Sequence, residues 1–377
     1  MSHAWRRWAG HVVASSYELS HEHEYHAIRS SAALLDVSPL YKYLVKGRDA
    51  ARLLDRVVTR DVQAMKIGQV AYTPWCDAAG KVLDDGTVAR LDETTFRMTA
   101  ADPNLRWLQD NALGLDVSVE DASASLAALS LQGPLSRAVL RELGEVDLKY
   151  FRIAATTLAD LPVSVSRTGY TGDLGYEIWV EAESALELWD ALIAVGKGYG
   201  ITPTGLLALD VARIEAGLML IDVDYVSARR ALITEQTSSP FELDLGWTVN
   251  LKKESFVGRS ALAAEAARGP QWQFVGVEVD WDSLERLYAE VGLAPRLPGA
   301  PWRMSVPLYA GAEQAGYATS GGWSPVLKKY IALAHLRARW AAPGTPLDME
   351  ITVEHRRKRA AAQVVKKPFF DPERKRA

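Results

Sequence analysis

The sequence contains very little cysteine. Its 377 residues include one cysteine, Cys76, which excludes an internal disulfide and a metal site built from several cysteines. The sequence also lacks a run of about 18 apolar residues, and its start has no charged segment followed by an apolar one. We therefore expect a cytoplasmic protein that does not associate with membranes.

A surplus of positive charge is also missing. The 43 Lys and Arg residues are outnumbered by 47 Asp and Glu residues, which gives a formal net charge of −4. Non-specific nucleic-acid binding depends on basic residues that face phosphates, so no nucleic-acid partner is expected. The basic clusters at residues 356–359 and 374–376 are more typical of a solvated strand edge and a frayed terminus.

Common nucleotide and metal motifs are absent as well. The chain has no Gly-x-Gly-x-x-Gly and no P-loop. His21, His23 and His26 lie close together, but on a helix only His23 and His26 would share a face, so we expect no metal site. Ser20 and the acidic residues after it predict a helix that continues through Leu34.

The composition is that of an ordinary globular protein. Hydrophobic residues make up 48% of the chain and charged residues 24%. A chain of 377 residues exceeds one ordinary core, so two or three domains are expected. After residues 263–269, which we predict to be a linker, short strands separated by turns favour a small β-barrel or sandwich.

A glycine-rich segment that runs into a strand is the most informative part of the sequence. Residues 166–180 contain three glycines, two tyrosines and the carboxylates Asp173 and Glu177. Glycine supplies the positive φ of tight turns, so the segment can be an ordinary turn between strands. It can also be a pocket wall that holds Glu177 on a rigid element, with Trp179 on the same strand face.

Two adjacent carboxylates lie in a predicted hairpin over residues 68–91. Asp84 and Asp85 follow the turn at Gly80. Because successive strand residues point to opposite faces of a sheet, only one of the two can face a given pocket. A carboxylate there could orient an amine and relay protons.

These segments together resemble the aminomethyltransferase (glycine-cleavage T-protein) family, whose relatives include folate-dependent demethylases. Each match alone is weak, but the matches follow the family's order over nearly the full length. They are Leu35–Ser38, Gly68–Tyr72, Gly80–Asp85, Leu131–Pro134, Ser166–Val180, Ala208–Gly217, Phe256–Arg259, Thr319–Pro325 and Val364–Phe369.

The resemblance implies a multi-domain α+β fold. Residues 1–265 would form a bipartite, folate-binding part of ferredoxin-like or mixed α+β character around a central cavity. Its two subdomains would be residues 1–50 with 125–265, and residues 51–124. Residues 272–377 would form the C-terminal β-barrel.

The resemblance also implies roles for individual residues. Tetrahydrofolate would be the co-substrate, with Asp85 as the catalytic carboxylate at its reactive nitrogens. Tyr72 and Tyr170 would line the site, Glu177 would accept hydrogen bonds from the pterin N–H edge, and Trp179 would help to cover the ring. No flavin is expected, because the chain has no room for the flavin domain of the dehydrogenase relatives.

Departures from the glycine-cleavage pattern cluster where a donor would enter. Thr99–Asp102 replaces an asparagine-bearing run, Leu209 stands where an arginine is usual, and residues 220–240 replace a shorter connection. Long structured connections are often functional, so Tyr225, Arg229 and Arg230 are predicted substrate contacts.

We therefore predict a tetrahydrofolate-dependent demethylase that uses a small methylated donor. One alternative is an aminomethyltransferase that acts on a lipoylated carrier protein. The other is a non-catalytic folate-binding protein, although the Lys-Gly-Cys-Tyr-type motif of such relatives is absent here.

Overall fold

The computed structural model describes residues 4–377. Its strands are β1 (Trp5–Trp8), β2 (His11–Ala14), β3 (Ala32–Asp36), β4 (Tyr41–Lys46), β5 (Val70–Cys76), β6 (Val82–Arg90), β7 (Thr95–Ala100), β8 (Ser118–Asp121), β9 (Leu126–Gln132), β10 (Ile153–Leu158), β11 (Leu161–Ser166), β12 (Gly175–Glu181), β13 (Ile201–Pro203), β14 (Trp272–Val279), β15 (Val306–Ala310), β16 (Glu313–Ser324), β17 (Lys329–Arg337), β18 (Pro346–Val353) and β19 (Arg356–Val365).

Eight α-helices connect and cover these strands in the described part of the chain. They are α1 (His21–Ser30), α2 (Ala50–Val57), α3 (Leu105–Asn111), α4 (Ser136–Leu143), α5 (Ala185–Gly196), α6 (Leu206–Glu215), α7 (Arg259–Arg268) and α8 (Trp281–Ala289). Among residues 4–377, no helix has the length and apolar character needed to cross a bilayer.

A five-stranded antiparallel sheet presents one apolar and one polar face. Its order is β5-β6-β7-β4-β8. Every second residue of a strand points to the same face of a sheet. On one face of this sheet, residues such as Val45, Val88 and Phe96 pack against α2 and α3. The residues between them, including Asp85 and Arg97, therefore point to the opposite face, which is where the predicted site residues of this sheet lie.

A six-stranded sheet supplies the facing wall. Its order is β10-β11-β12-β9-β3-β13, with only β13 and β3 parallel. On β12, Ile178 and Val180 pack into a core with α4 and α5. Trp179 alternates with them and packs on the other side with α1 and α6. Glu177 shares the face of Trp179, as its spacing predicts.

The C-terminal strands close into a barrel of order β14-β17-β16-β15-β18-β19, with β14 pairing to β19. Val277, Leu308, Leu336 and Met349 contribute to its core. The predicted α+β fold with a C-terminal barrel is thus confirmed. The domain boundaries at residues 265 and 272 remain a prediction.

Two local predictions are wrong. Helix α1 starts as expected, with Ser20 Oγ accepting from Glu22 N, but it ends at Ser30. Residues 32–36 instead form β3, because pairing with β9 and β13 in a buried sheet outweighs their local helical preference. The predicted linker at 263–269 is largely helix α7, whose alanine-rich sequence has high helical propensity.

A buried carboxylate joins α1, α6 and the barrel. Arg29 Nη2 and Nε donate to Glu215 Oε2 at 2.6 and 2.9 Å. Tyr25 and Ser324 hydroxyls each donate to Oε1 at 2.5 Å. Both members of the ion pair are almost completely buried, with side-chain exposures of 2% for Arg29 and 0% for Glu215. The relative placement of the sheets and the barrel therefore depends on this pair.

Arg29→Met is expected to lower the free energy of unfolding by about 3–5 kcal/mol, because it leaves the Glu215 carboxylate buried without its cation. Denaturant unfolding followed by tryptophan fluorescence measures the change. Arg106→Met is the control, since its pair with Asp110 is exposed and should contribute little. Equal effects of the two substitutions would contradict the importance of the Arg29 pair.

Candidate active site

The β5–β6 hairpin separates the two adjacent carboxylates, as the strand alternation predicts. Asp84 points toward α3 and is fully buried. Its Oδ2 accepts from Asp102 N and Asn104 Nδ2, both at 2.9 Å. Asp85 points to the opposite, polar face and is half-buried. Asp84 thus links the hairpin to the segment before α3, and Asp85 remains accessible to a ligand.

Two tyrosines hold the Asp85 carboxylate. Tyr72 Oη donates to Oδ2 at 2.7 Å, and Tyr225 Oη donates to Oδ1. Burial raises the pKa of Asp85, and the hydrogen bonds from Tyr225 and Tyr72 oppose part of that rise. Burial also raises the pKa of both tyrosines, so they remain protonated donors at neutral pH.

A buried ion pair fixes the position of Tyr225. The preceding residue, Asp224, accepts from Arg213 Nη1 and from Leu220 N. Thr319 and Ser320 on β16 donate to its Oδ1 at 2.5 and 2.7 Å. The barrel therefore holds the segment that carries Tyr225.

Aromatic side chains surround the Tyr72 side of the site. Trp247 stacks on Tyr72, with ring centroids 6.3 Å apart, and is 63% exposed. The Arg60 guanidinium lies 5.0 Å from the Trp247 ring centroid. Tyr170 is half-buried and donates to Met219 O. Its pKa is raised chiefly by burial, and its ring packs against the cluster that contains Trp179.

Glu177 and Trp179 form a second group on β12. Thr168 Oγ1 donates to Glu177 Oε2, and burial raises the pKa of this half-buried carboxyl group. Trp179 Nε1 donates to Ser166 Oγ at 3.3 Å. The Arg97 guanidinium lies 3.8 Å from the centroid of Trp179. This group offers an acceptor, an aromatic surface and a cation in one place.

Two of the predicted substrate residues lie apart from Asp85. Arg229 Nη1 donates to Pro103 O at 3.2 Å. Arg230 pairs with Asp102 at 2.9 Å and with Asp222 at 2.7 Å. Tyr225 is thus the one member of the predicted substrate set that contacts Asp85, and a role for the two arginines remains a prediction.

Two site residues were missed by the sequence analysis. Arg97 is a charged residue inside a strand with apolar neighbours, and that pattern could have marked it as a buried cation. Trp247 carries no such signal, because its contact with Tyr72 joins residues far apart in the chain.

A separate cavity of about 230 Å³ lies between α1, α6 and the barrel, and none of the predicted site residues lines it. Within residues 4–377, no group of three or more His, Cys, Asp or Glu side chains is arranged to hold a metal. Of the three clustered histidines, His23 pairs with Glu18 at 3.0 Å.

Fold and site together define a class: a two-sheet α+β protein with a C-terminal barrel and a tyrosine-held carboxylate between the sheets. Residues 4–253 match the model of the GCVT N-terminal domain, and residues 290–371 match the glycine cleavage T-protein C-terminal barrel domain. The chain belongs to the aminomethyltransferase (glycine cleavage T-protein) family.

Similar proteins agree with this assignment. The aminomethyltransferase of Bacillus mycoides is 35% identical over 372 residues, which cover 96% of this chain and 92% of the relative. That of Halothermothrix orenii is 33% identical over 354 residues, covering 92% and 90%. The crystal structure of glycine cleavage system aminomethyltransferase T from Bartonella henselae has a TM-score of 0.82 at 26% identity, covering 98% of this chain and 94% of that one.

Tyr72→Phe is expected to raise the pKa of Asp85 further above the ordinary aspartate value of about 3.9, because it removes a hydrogen bond to the ionised form. Carbon NMR titration of labelled aspartate carboxyl groups measures this, with Asp85→Asn used for assignment. Tyr41→Phe is a matched control on the same sheet. A lower pKa in Tyr72→Phe would contradict the assigned contact.

Proposed function

We propose that the protein transfers a one-carbon unit to tetrahydrofolate, with Asp85 as the proton-transfer residue, and that the donor is an aminomethyl group on a lipoylated carrier protein. The observation that supports this proposal most directly is the recessed Asp85 carboxylate, which accepts hydrogen bonds from Tyr72 and Tyr225. Membership of a family whose relatives are named aminomethyltransferases supports the aminomethyl donor.

The side chains present fit tetrahydrofolate. Glu177 offers a half-buried carboxylate that can accept two N–H donors from a flat heterocycle. Trp179 offers a buried ring beside it. Tyr170 packs against the cluster that contains Trp179, and Tyr72 donates to Asp85. When bound, tetrahydrofolate supplies the amine nitrogen that receives the one-carbon unit.

Asp85 is suited to orient that nitrogen and to manage its proton. A carboxylate has about four lone-pair sites, so the hydrogen bonds from Tyr72 and Tyr225 leave room for a ligand N–H. The amine loses a proton as it gains carbon, and the leaving group gains one. A carboxyl group whose pKa is raised by burial can accept the first proton and return one later. Catalysis then rests on orientation and proton transfer.

Asp85→Asn is expected to bind tetrahydrofolate within a few-fold of wild type but to lower turnover by roughly 10²- to 10⁴-fold, because the amide cannot accept the proton. Calorimetric binding and steady-state kinetics measure the two effects. Glu93→Gln, an exposed carboxylate on the following turn, is the matched control. Full activity of Asp85→Asn would refute the role of Asp85.

A second candidate is transfer from a small methylated donor. Tyr225, in the connection that departs from the glycine-cleavage pattern, donates to Asp85. Leu209, buried and apolar, stands where the pattern has an arginine. Tyr225 changes the surroundings of the carboxylate, and Leu209 lies in the apolar cluster that contains Trp179.

Product formation should separate the candidates. The carrier bearing an aminomethyl group is expected to give methylene-tetrahydrofolate and ammonia. A panel of methylated amines, sulfonium compounds and methoxyaromatics tests the second candidate. Turnover with a free donor alone would replace the carrier as substrate, and binding of tetrahydrofolate without turnover on any donor would indicate a non-catalytic folate-binding protein.

A further inference from the structure

Arg97 crosses the space between the two sheets. It lies in the middle of β7 on the polar face of the five-stranded sheet and is 4% exposed. Its Nη1 donates to Ser164 Oγ on β11 at 3.0 Å, and its guanidinium lies 3.8 Å from the Trp179 ring centroid on β12. The cation is therefore held against the wall that carries Glu177.

This cation has few partners. A guanidinium has five N–H donors, but in the described part of the chain the side chain of Arg97 makes one hydrogen bond, to Ser164. Glu177 acts on its charge, yet the two side chains form no ion pair with each other. Burial lowers the pKa of Arg97 to about 9, so it stays charged at neutral pH. A buried cation in this setting is stabilised by a ligand that brings an acceptor.

Glu177 provides the complementary half of the arrangement. Thr168 donates to its carboxylate, which still has lone pairs free for a ligand. Glu177 and Trp179 are two residues apart on one strand face, and Arg97 stacks on Trp179. A donor over the aromatic ring and an acceptor on the same strand face are thus available to one ligand. The matching ligand edge has N–H donors next to a carbonyl oxygen.

We propose that Arg97 is a further folate-binding residue that donates to the carbonyl oxygen of the pterin ring, while Glu177 accepts from the adjacent N–H groups. The inference rests on the proposed function, because it takes tetrahydrofolate as the ligand. It adds a specificity: the site selects 4-oxo pterins against 4-amino pterins, since an amino group there would set donor against donor.

Calorimetry with the full chain tests the proposal, using tetrahydrofolate and its 4-amino analogue as probes. Wild type is expected to prefer the 4-oxo ligand by roughly 10- to 100-fold, the loss that a mismatched buried hydrogen bond produces. Arg97→Met keeps the length and the packing on Trp179 but has no donor, so the preference should fall to the part that comes from the ring N–H, which Glu177 accepts and the 4-amino analogue lacks.

Two further variants secure the interpretation. Arg90→Met is the matched control, because Arg90 also stacks on an aromatic ring of this sheet, Phe96, but donates to Met65 O instead. It should keep the wild-type preference. Arg97→Lys retains a charged donor, so it should keep part of the preference, and it provides the test if Arg97→Met does not fold.

The outcomes are distinct. Equal weakening of both ligands by Arg97→Met, with the wild-type ratio unchanged, would overturn the inference and leave Arg97 a structural bridge between the sheets. Complete loss of the preference in Arg97→Lys would do the same, because that variant retains a charged donor. Failure of wild type to bind tetrahydrofolate at all would overturn the proposed function and this inference with it.

Discussion

The buried ion pair between Arg213 and Asp224 is the interaction on which the site depends most. Both side chains have 0% exposure, and Asp224 also accepts from Thr319 and Ser320 of the barrel. Because Tyr225 follows directly, the same contacts place its hydroxyl on the Asp85 carboxylate. Removing Arg213 would leave Asp224 buried without its cation, which is far more costly than losing an exposed pair. The geometry at Asp85 is thus set by α6 and the barrel as well as by its own hairpin.

The two sheets carry different parts of the site. The five-stranded sheet carries Asp85 with Tyr72, where a raised carboxyl pKa suits proton transfer. The six-stranded sheet carries Glu177 with Trp179, where an acceptor and a ring suit recognition of a flat heterocycle. Arg97 contacts Ser164 and Trp179 across the gap. Its charge and the charge of Glu177 are both confined between the sheets, so the spacing of the sheets controls the electrostatics of the recognition group.

Sequence patterns predicted the features that depend on neighbouring residues in the chain. Strand alternation gave the β5–β6 hairpin and the opposite directions of Asp84 and Asp85, and the same rule placed Glu177 with Trp179. Short strands and turns predicted a small barrel or a sandwich, and the family resemblance implied the barrel. The helix beyond Ser30 was wrong because strand pairing is non-local. The hydrogen bond from Tyr225 to Asp85 spans 140 residues, and no sequence period reports such a contact.

The two candidate functions require the same chemistry from Asp85, and they differ only in what they require of the residues around it. Either donor requires a carboxylate that can orient an amine and exchange a proton, and the recognition group at Glu177 does not depend on the donor. The difference must then lie where the site meets solvent. Tyr72 connects these regions, because its hydroxyl holds Asp85 and its ring stacks on the exposed Trp247. A change of donor can therefore alter the rim around Trp247 while the carboxylate and its tyrosines keep their geometry.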